Sequence, residues 1–224
     1  MWSPGEAIGF AWDRIKSDPF IIVGAIAVAT MIAAMPSTLT DVAGEVYWAA
    51  VHGTAGSDNP FEQLSDPVYL AITLVGIAVN SLAQAFMMGG IMSFSLKVAR
   101  HERYSFTDIF SGARWFLPAL GINVLGYLGI VLGLILFIIP GVFLALAWSL
   151  ALPIAVDRDI GAIEALGESY RLTTGHRLSL LVLFLGLGAI ALLGLCFCGV
   201  GVFVAVAIGQ VALAWVYGRL SGTA

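Results

Sequence analysis

The side chains in this sequence that have types and spacing suited to chemistry fall into three groups. Asp157 and Asp159 flank Arg158, a pattern that suits either a two-carboxylate metal site or a solvated, charge-balanced loop beside Arg171 and Arg177. Three histidines, His52, His101 and His176, are scattered, and none sits in a His-Glu-x-x-His pattern, so a zinc ligand set is missing. No nucleophile and base are spaced to work together. The third group is neutral and polar: Asn80, Ser81, Gln84, Asn123, Ser149 and Gln210 interrupt otherwise apolar runs. Asn80 and Gln84 are four apart and share a helix face, so with Asn123 and Gln210 they either line a polar path or hydrogen-bond across a bundle. The expectation is a chain with no catalytic residue, no cofactor and no metal.

The elements that must position these residues are set by composition. Of 224 residues, 60% are hydrophobic and only 11% charged, with a mean hydropathy of +0.98. A soluble domain carries roughly 25% charge, so this is an integral membrane chain. A net charge of −4 argues against a nucleic-acid partner, which wants a basic face. The length leaves no room for a soluble catalytic domain beside the spans, and residues 1–224 read as one transmembrane domain.

Six apolar runs read as spans, at about residues 20–35, 67–100, 116–139, 142–156, 178–197 and 202–217, the first of them short, so that Pro19 and the polar flanks must lie at the interface. Asp18-Pro19 and Asp66-Pro67 open the first two with a cap followed by proline at the first helical position. Pro36 is expected to close the first, leaving residues 37–66 as the one long connection, with a short surface helix around Val42, Val46, Tyr47 and Val51. The Ile138-Ile139-Pro140-Gly141 stretch reads as a tight turn or a re-entrant segment, and Cys198–Gly201 as another turn. The opening Met1-Trp2-Ser3-Pro4-Gly5-Glu6 lacks a signal peptide's basic start and is expected to remain in the mature protein. Six spans put both termini on one side, and all ten Lys and Arg residues fall on that side while the opposite connections hold none. The positive-inside rule then predicts a multi-pass inner (cytoplasmic) membrane protein with both termini cytoplasmic.

A pattern repeats ahead of spans one, three and five. Ser3, Glu6 and Trp12 correspond to Ser105, Asp108 and Arg114, and to Gly161, Glu164 and Tyr170. The expected fold is therefore all-α, six spans arranged as three units of one amphipathic helix plus a hairpin. The interfacial helices cover about residues 3–16, 105–115 and 161–174, and the first two start with capping-box residues. Arg14, Lys16, Arg100, Arg103, Arg114, Arg171 and Arg177 are the candidates for lipid-headgroup contact. Small residues at helical spacing, Gly129 with Gly133 and Ala25 with Ala29 and Ala33, allow close helix approach within the chain or between copies. Trp2, Trp12, Trp48 and Trp115 lie near predicted interfaces, where indoles anchor. Cys196 and Cys198 read as free thiols packed as small hydrophobes.

Ser105-Phe-Thr-Asp-Ile-Phe110, Ile139-Pro140-Gly141 and the Ala165-Leu-Gly-Glu-Ser-Tyr-Arg-Leu-Thr-Thr-Gly175 run together resemble six-span bacterial and archaeal membrane proteins related to the membrane domain of glycerophosphoryl diester phosphodiesterases. The resemblance covers roughly residues 100 to 200. It implies a multi-span helical domain of unknown activity, found alone or fused to a soluble enzyme. The phosphodiesterase domain has no counterpart in these residues, so its activity is not carried over. The expected function is a non-enzymatic, lipid-interacting and self-associating membrane scaffold, with membrane lipids, a second copy or another membrane protein as partners. A transporter or channel using the polar set is the alternative. A lipid-modifying enzyme using Asp157 and Asp159 is a third reading.

Overall fold

The computed structural model describes residues 2–53, 60–196 and 200–222. Its elements are helices, with no strand among the described residues. Helix α1 (Pro4–Ser17) begins at the reciprocal cap read from the sequence: Glu6 N–H donates to Ser3 Oγ at 3.2 Å, and Ser3 N–H donates to Glu6 Oε2 at 2.9 Å. It buries only one face, through Ala7, Ala11 and Ile15, and packs on helices α9 (Arg177–Leu195) and α10 (Val200–Ser221).

Helix α2 (Pro19–His52) runs straight through Pro36 and so absorbs the segment expected to be a loop with a separate short helix. Proline removes one backbone donor and costs about 3 kcal/mol within a helix. The hydroxyls that follow turn back onto the same helix, from Ser37 to Ala34 O at 2.8 Å and from Thr38 to Met35 O at 2.8 Å. Close packing then holds the continued helix, since Thr40 lies against Gly76 and the Tyr69 ring against Gly44. After the short α3 (Pro60–Ser65), helix α4 (Pro67–Ala99) starts as expected at Asp66, whose Oδ1 accepts from Val68 N–H at 2.8 Å and Tyr69 N–H at 3.0 Å. The Tyr69 amide, then Val68 and the Tyr47 hydroxyl, hold the Asp66 carboxyl below its ordinary range against the opposing effect of desolvation.

The second capped segment is a 3₁₀ helix, Phe106–Trp115, rather than an α-helix. Helix α5 (Phe116–Leu136) follows, and a single extended residue, Phe137, turns the chain into α6 (Ile138–Trp148). Pro140 falls in the first turn of α6, where amides have no intrahelical partner to lose. The Gly129 and Gly133 pair is used inside this hairpin: Gly129 faces the Trp148 ring and Gly133 faces Gly141. The fourth span is divided, α6 giving way at Ser149 and Leu150 to α7 (Ala151–Arg158), and α8 (Ala162–Leu172) precedes α9. Six described helical stretches are long and apolar enough to cross a membrane.

The chain forms two compact units, one from residues 1–29 with 85–224, the other from residues 30–84. In the first, Met92, Leu96, Leu150, Ile154, Ala214 and Tyr217 form a buried core. Here α4 meets the 3₁₀ helix at glycines on both sides, and a methyl group on Gly90 or Gly112 would lie 1.8 Å from the carbonyl oxygen of Ile109 or Phe86. In the second, Trp48, expected at an interface, is 3% exposed and packs edge-on against Tyr69 and flat on His52. The perpendicular contact with Tyr69 is the one that joins α2 to α4.

Gly112→Ala is expected to prevent accumulation of a monodisperse protein in mild detergent, because the backbone of Phe86 has to move. Gly126→Ala, which meets nothing within 4 Å, is expected to behave as wild type in the same size-exclusion profile.

Candidate functional site

The interruption of the fourth span shapes the most developed site. Pro153 has no N–H and crowds the carbonyl four residues before it, that of Ser149, so the helix cannot run through unbroken. The break releases peptide groups that neighbouring α8 takes up. Ser169 Oγ donates to Ala147 O at 2.7 Å and accepts from Leu150 N–H at 3.2 Å, while the single Thr173 hydroxyl proton lies nearest its own turn, at Ser169 O 2.8 Å away, with Ala147 O the second acceptor at 3.3 Å. Ser169 and Thr173 are fully buried, four residues apart on one face. The hydroxyls of the Glu-Ser-Tyr-Arg-Leu-Thr-Thr run are thus structural, a role the sequence reading did not assign.

Beside this clasp a cleft of about 240 Å³ opens between α5 and the α6–α7 break, lined in part by Met88, Asn123, Tyr127, Ala145, Trp148 and Ser149. Its walls are almost wholly apolar. Two of its polar side chains have partners within the protein: Asn123 Nδ2 donates to Met88 Sδ at 3.6 Å, and Ser149 Oγ donates to Leu146 O at 2.9 Å. Tyr127 at its edge is 73% exposed. Such a cleft suits an apolar chain and offers no charged contact.

The polar set falls into separate places. Asn80 and Gln84 belong to the 30–84 unit, whereas Asn123 and Gln210 belong to the other. Among the described residues no hydrogen bond joins Asn123 to Gln210. Asn80 lines a groove of about 130 Å³ with Ser37, Thr40, Asp41, Tyr69 and Thr73, and its Oδ1 is buried with no hydrogen-bond partner.

The basic residues are largely engaged within the chain. Arg100 at the end of α4 binds Asp157 Oδ1 at 2.6 Å, and the buried Tyr217 of α10 donates its hydroxyl to Asp157 Oδ2 at 2.7 Å, so three helices meet on one carboxylate. The hydrogen bond to Asp157 raises the Arg100 pKa above its ordinary value. Arg114 pairs with Asp159 at 2.8 Å, and Arg158 with Glu168 at 3.2 Å. Asp159 adopts the left-handed conformation, and the Arg114 guanidinium holds its carboxyl below the usual range. Asp157 and Asp159 are thus each engaged by a separate guanidinium. Arg14 Nε donates to Val98 O at 3.2 Å, in the last turn of α4, where a cation suits the helix dipole. Arg177 stacks over Phe143 at 4.0 Å and Tyr170 at 4.5 Å. Lys16, near Asp13, keeps 56% of its side chain exposed; Arg171 keeps 82%, and Arg103 is exposed. Among the described residues no three His, Cys, Asp or Glu side chains are grouped to hold a metal ion. Cys196 is a free, exposed thiol, and Cys198 lies outside the described residues.

Two outcomes follow from these contacts. Asp157→Ala is expected to cost about 3 kcal/mol in a detergent unfolding titration, because Arg100 and Tyr217 lose their shared partner. Asp159→Asn keeps the left-handed backbone but removes the Arg114 ion pair. Because the Asp159 pKa is depressed on folding, its contribution is present above the ordinary carboxylate range and lost as pH falls through the lowered value. The difference in melting midpoint between wild type and Asp159→Asn should therefore be visible near neutral pH and close in strong acid.

No family profile matches the chain, and no solved structure matches it. Over 106 residues it is 32% identical to the UPF0259 membrane protein of Sodalis glossinidius (strain morsitans), covering 47% of this chain and 42% of that protein. The chain thus spans less than half the length of the curated relative it matches. That similarity to an uncharacterised bacterial membrane protein, with six described helical stretches fit to cross a bilayer, makes this a multi-pass membrane protein.

Proposed function

We propose that the protein is a non-enzymatic, lipid-interacting membrane organiser, with the cleft beside the fourth-span break as the place where an apolar chain lodges. The observation that carries this reading is the cleft's lining: about 240 Å³ bounded mainly by apolar side chains, with the Asn123 amide N–H and the Ser149 hydroxyl already given to partners within the protein. An apolar chain entering such a space covers few polar groups that would otherwise bond water. Lys16, Arg103 and Arg171 retain exposed charge for headgroup phosphates, and Arg114 does so in part, 67% exposed beside Asp159, whereas Arg14, Arg100 and Arg177 act mainly through partners in the chain. The resemblance to the membrane domain of glycerophosphoryl diester phosphodiesterases is compatible with a lipid-facing role that needs no catalytic residue. The reading includes self-association, placement in the inner membrane and inward termini, the last supported by the one-sided distribution of Lys and Arg.

Transport is the second reading, favoured by the unpartnered Asn80 Oδ1 in its polar groove. Substituting Asn80, Gln84, Asn123 and Gln210 by leucine or alanine tests it, since unchanged solute flux removes its support.

Gly126 lines the cleft with open space at its Cβ position, so Gly126→Phe fills the cleft with little disturbance of the helix. Native mass spectrometry of wild type from nanodiscs is expected to show an oligomer with retained lipid, and Gly126→Phe to lose most of that lipid. A lipid-free monomer, or lipid retention indifferent to Gly126→Phe, defeats the reading.

A further inference from the structure

The groove between α2 and α4 in the 30–84 unit lies apart from the apolar cleft, and its chemistry is of the opposite kind. Ser37, Thr40 and Thr73 each give their single hydroxyl proton to their own helix, to Ala34 O at 2.8 Å, Pro36 O at 2.9 Å and Tyr69 O at 3.0 Å. What those hydroxyls have left is lone pairs. The buried Asn80 Oδ1 adds an acceptor with no partner, and the Asp41 carboxylate, exposed at the rim, adds acceptors and a negative charge. Only the Asn80 amide nitrogen and the Tyr69 phenol retain protons to give.

Two further observations bear on the ligand. Tyr69 covers Gly44, its Cε2 3.2 Å from where a Cβ would stand, so the groove has an aromatic wall suited to a cation. Residues 30–84 contain Asp41, Glu45, Asp58, Glu62 and Asp66 and not one lysine or arginine, so the local potential favours positive charge. At about 130 Å³ the groove has room for a small organic headgroup rather than a bare ion alone.

We infer that this groove binds a primary ammonium group, with Asn80 Oδ1, the freed hydroxyl lone pairs and Asp41 as its acceptors. A protonated amine supplies three N–H donors, which matches a site rich in acceptors and poor in donors. A free small amine and an ethanolamine phospholipid both carry this ammonium, and the chemistry recognised is the same. The inference does not rest on the lipid cleft, which belongs to the other unit.

The test is calorimetric titration of ethanolammonium chloride into the full chain in phosphatidylglycerol nanodiscs, at constant ionic strength. Tetramethylammonium, which has the charge but no N–H, and sodium are the comparisons. A saturable heat is expected with ethanolammonium alone, and Asp41→Asn and Asn80→Leu should each weaken it about tenfold, the scale of one charge-assisted or buried hydrogen bond. Asp41 is exposed, so Asp41→Asn keeps the inference testable even where Asn80→Leu fails to fold. Repeating the titration in phosphatidylethanolamine nanodiscs separates the sources: suppressed heat with that lipid retained on purification identifies the phospholipid, and unaltered heat identifies a free amine. Absence of saturable heat, equal binding of tetramethylammonium or sodium, or unchanged affinity in the folded variants overturns the assignment.

Discussion

A helix interrupted among apolar surroundings has to find partners for every peptide group it releases, and the fourth span depends on that constraint. Water is not there to take them, and each unsatisfied group costs several kcal/mol in hydrocarbon. Pro153 forces the interruption, and Ser169 with Thr173 answers it from a neighbouring helix. The position of α8 is therefore fixed against the α6–α7 junction by hydrogen bonds. The cleft is lined by Trp148 and Ser149 at that interruption, and the clasp holds the irregular backbone beside it in place.

A second set of constraints is electrostatic. Asp157 receives Arg100 from α4 and Tyr217 from α10, joining residues far apart in sequence at one partly buried carboxylate. Around it, Arg114 with Asp159 and Arg158 with Glu168 tie the short connecting helices to each other, and Lys97 with Asp108 ties the end of α4 to the 3₁₀ helix. The charge that composition assigns to this side of the protein is consequently spent to a large extent on internal geometry, and the cations left facing outward are few and specific.

Much of the fold was legible because bilayer-spanning helices follow from long apolar runs, and caps from Ser3-Glu6 and Asp66-Pro67. The boundaries that failed to follow were those at prolines. Pro36 looks like a terminator in isolation, but the packing of Thr40 on Gly76 and Tyr69 on Gly44 carries the helix beyond it. Pro153 looks unremarkable within an apolar run, yet it breaks the helix. The site was less legible for a similar reason. A sequence gives residue types but not the partner each proton or charge has found, so Arg177 between Phe143 and Tyr170, and the clasping role of Ser169 and Thr173, had no signal beyond an i, i+4 hydroxyl pair ahead of an apolar span. Asn80 and Asn123 could be picked out as polar interruptions, but not assigned to different units.

The meeting of three helices on Asp157 also imposes an order on synthesis. Arg100 and Asp157 are both made well before Tyr217, which lies on α10, the final described helix to leave the ribosome. Until that helix inserts, the carboxylate has only one of its two hydrogen-bonding neighbours and the α4–α7 junction is incompletely covered. A nascent chain halted before α10 thus presents an unfinished polar junction at the ends of α4 and α7, the incompletely packed kind of intermediate from which misassembly starts.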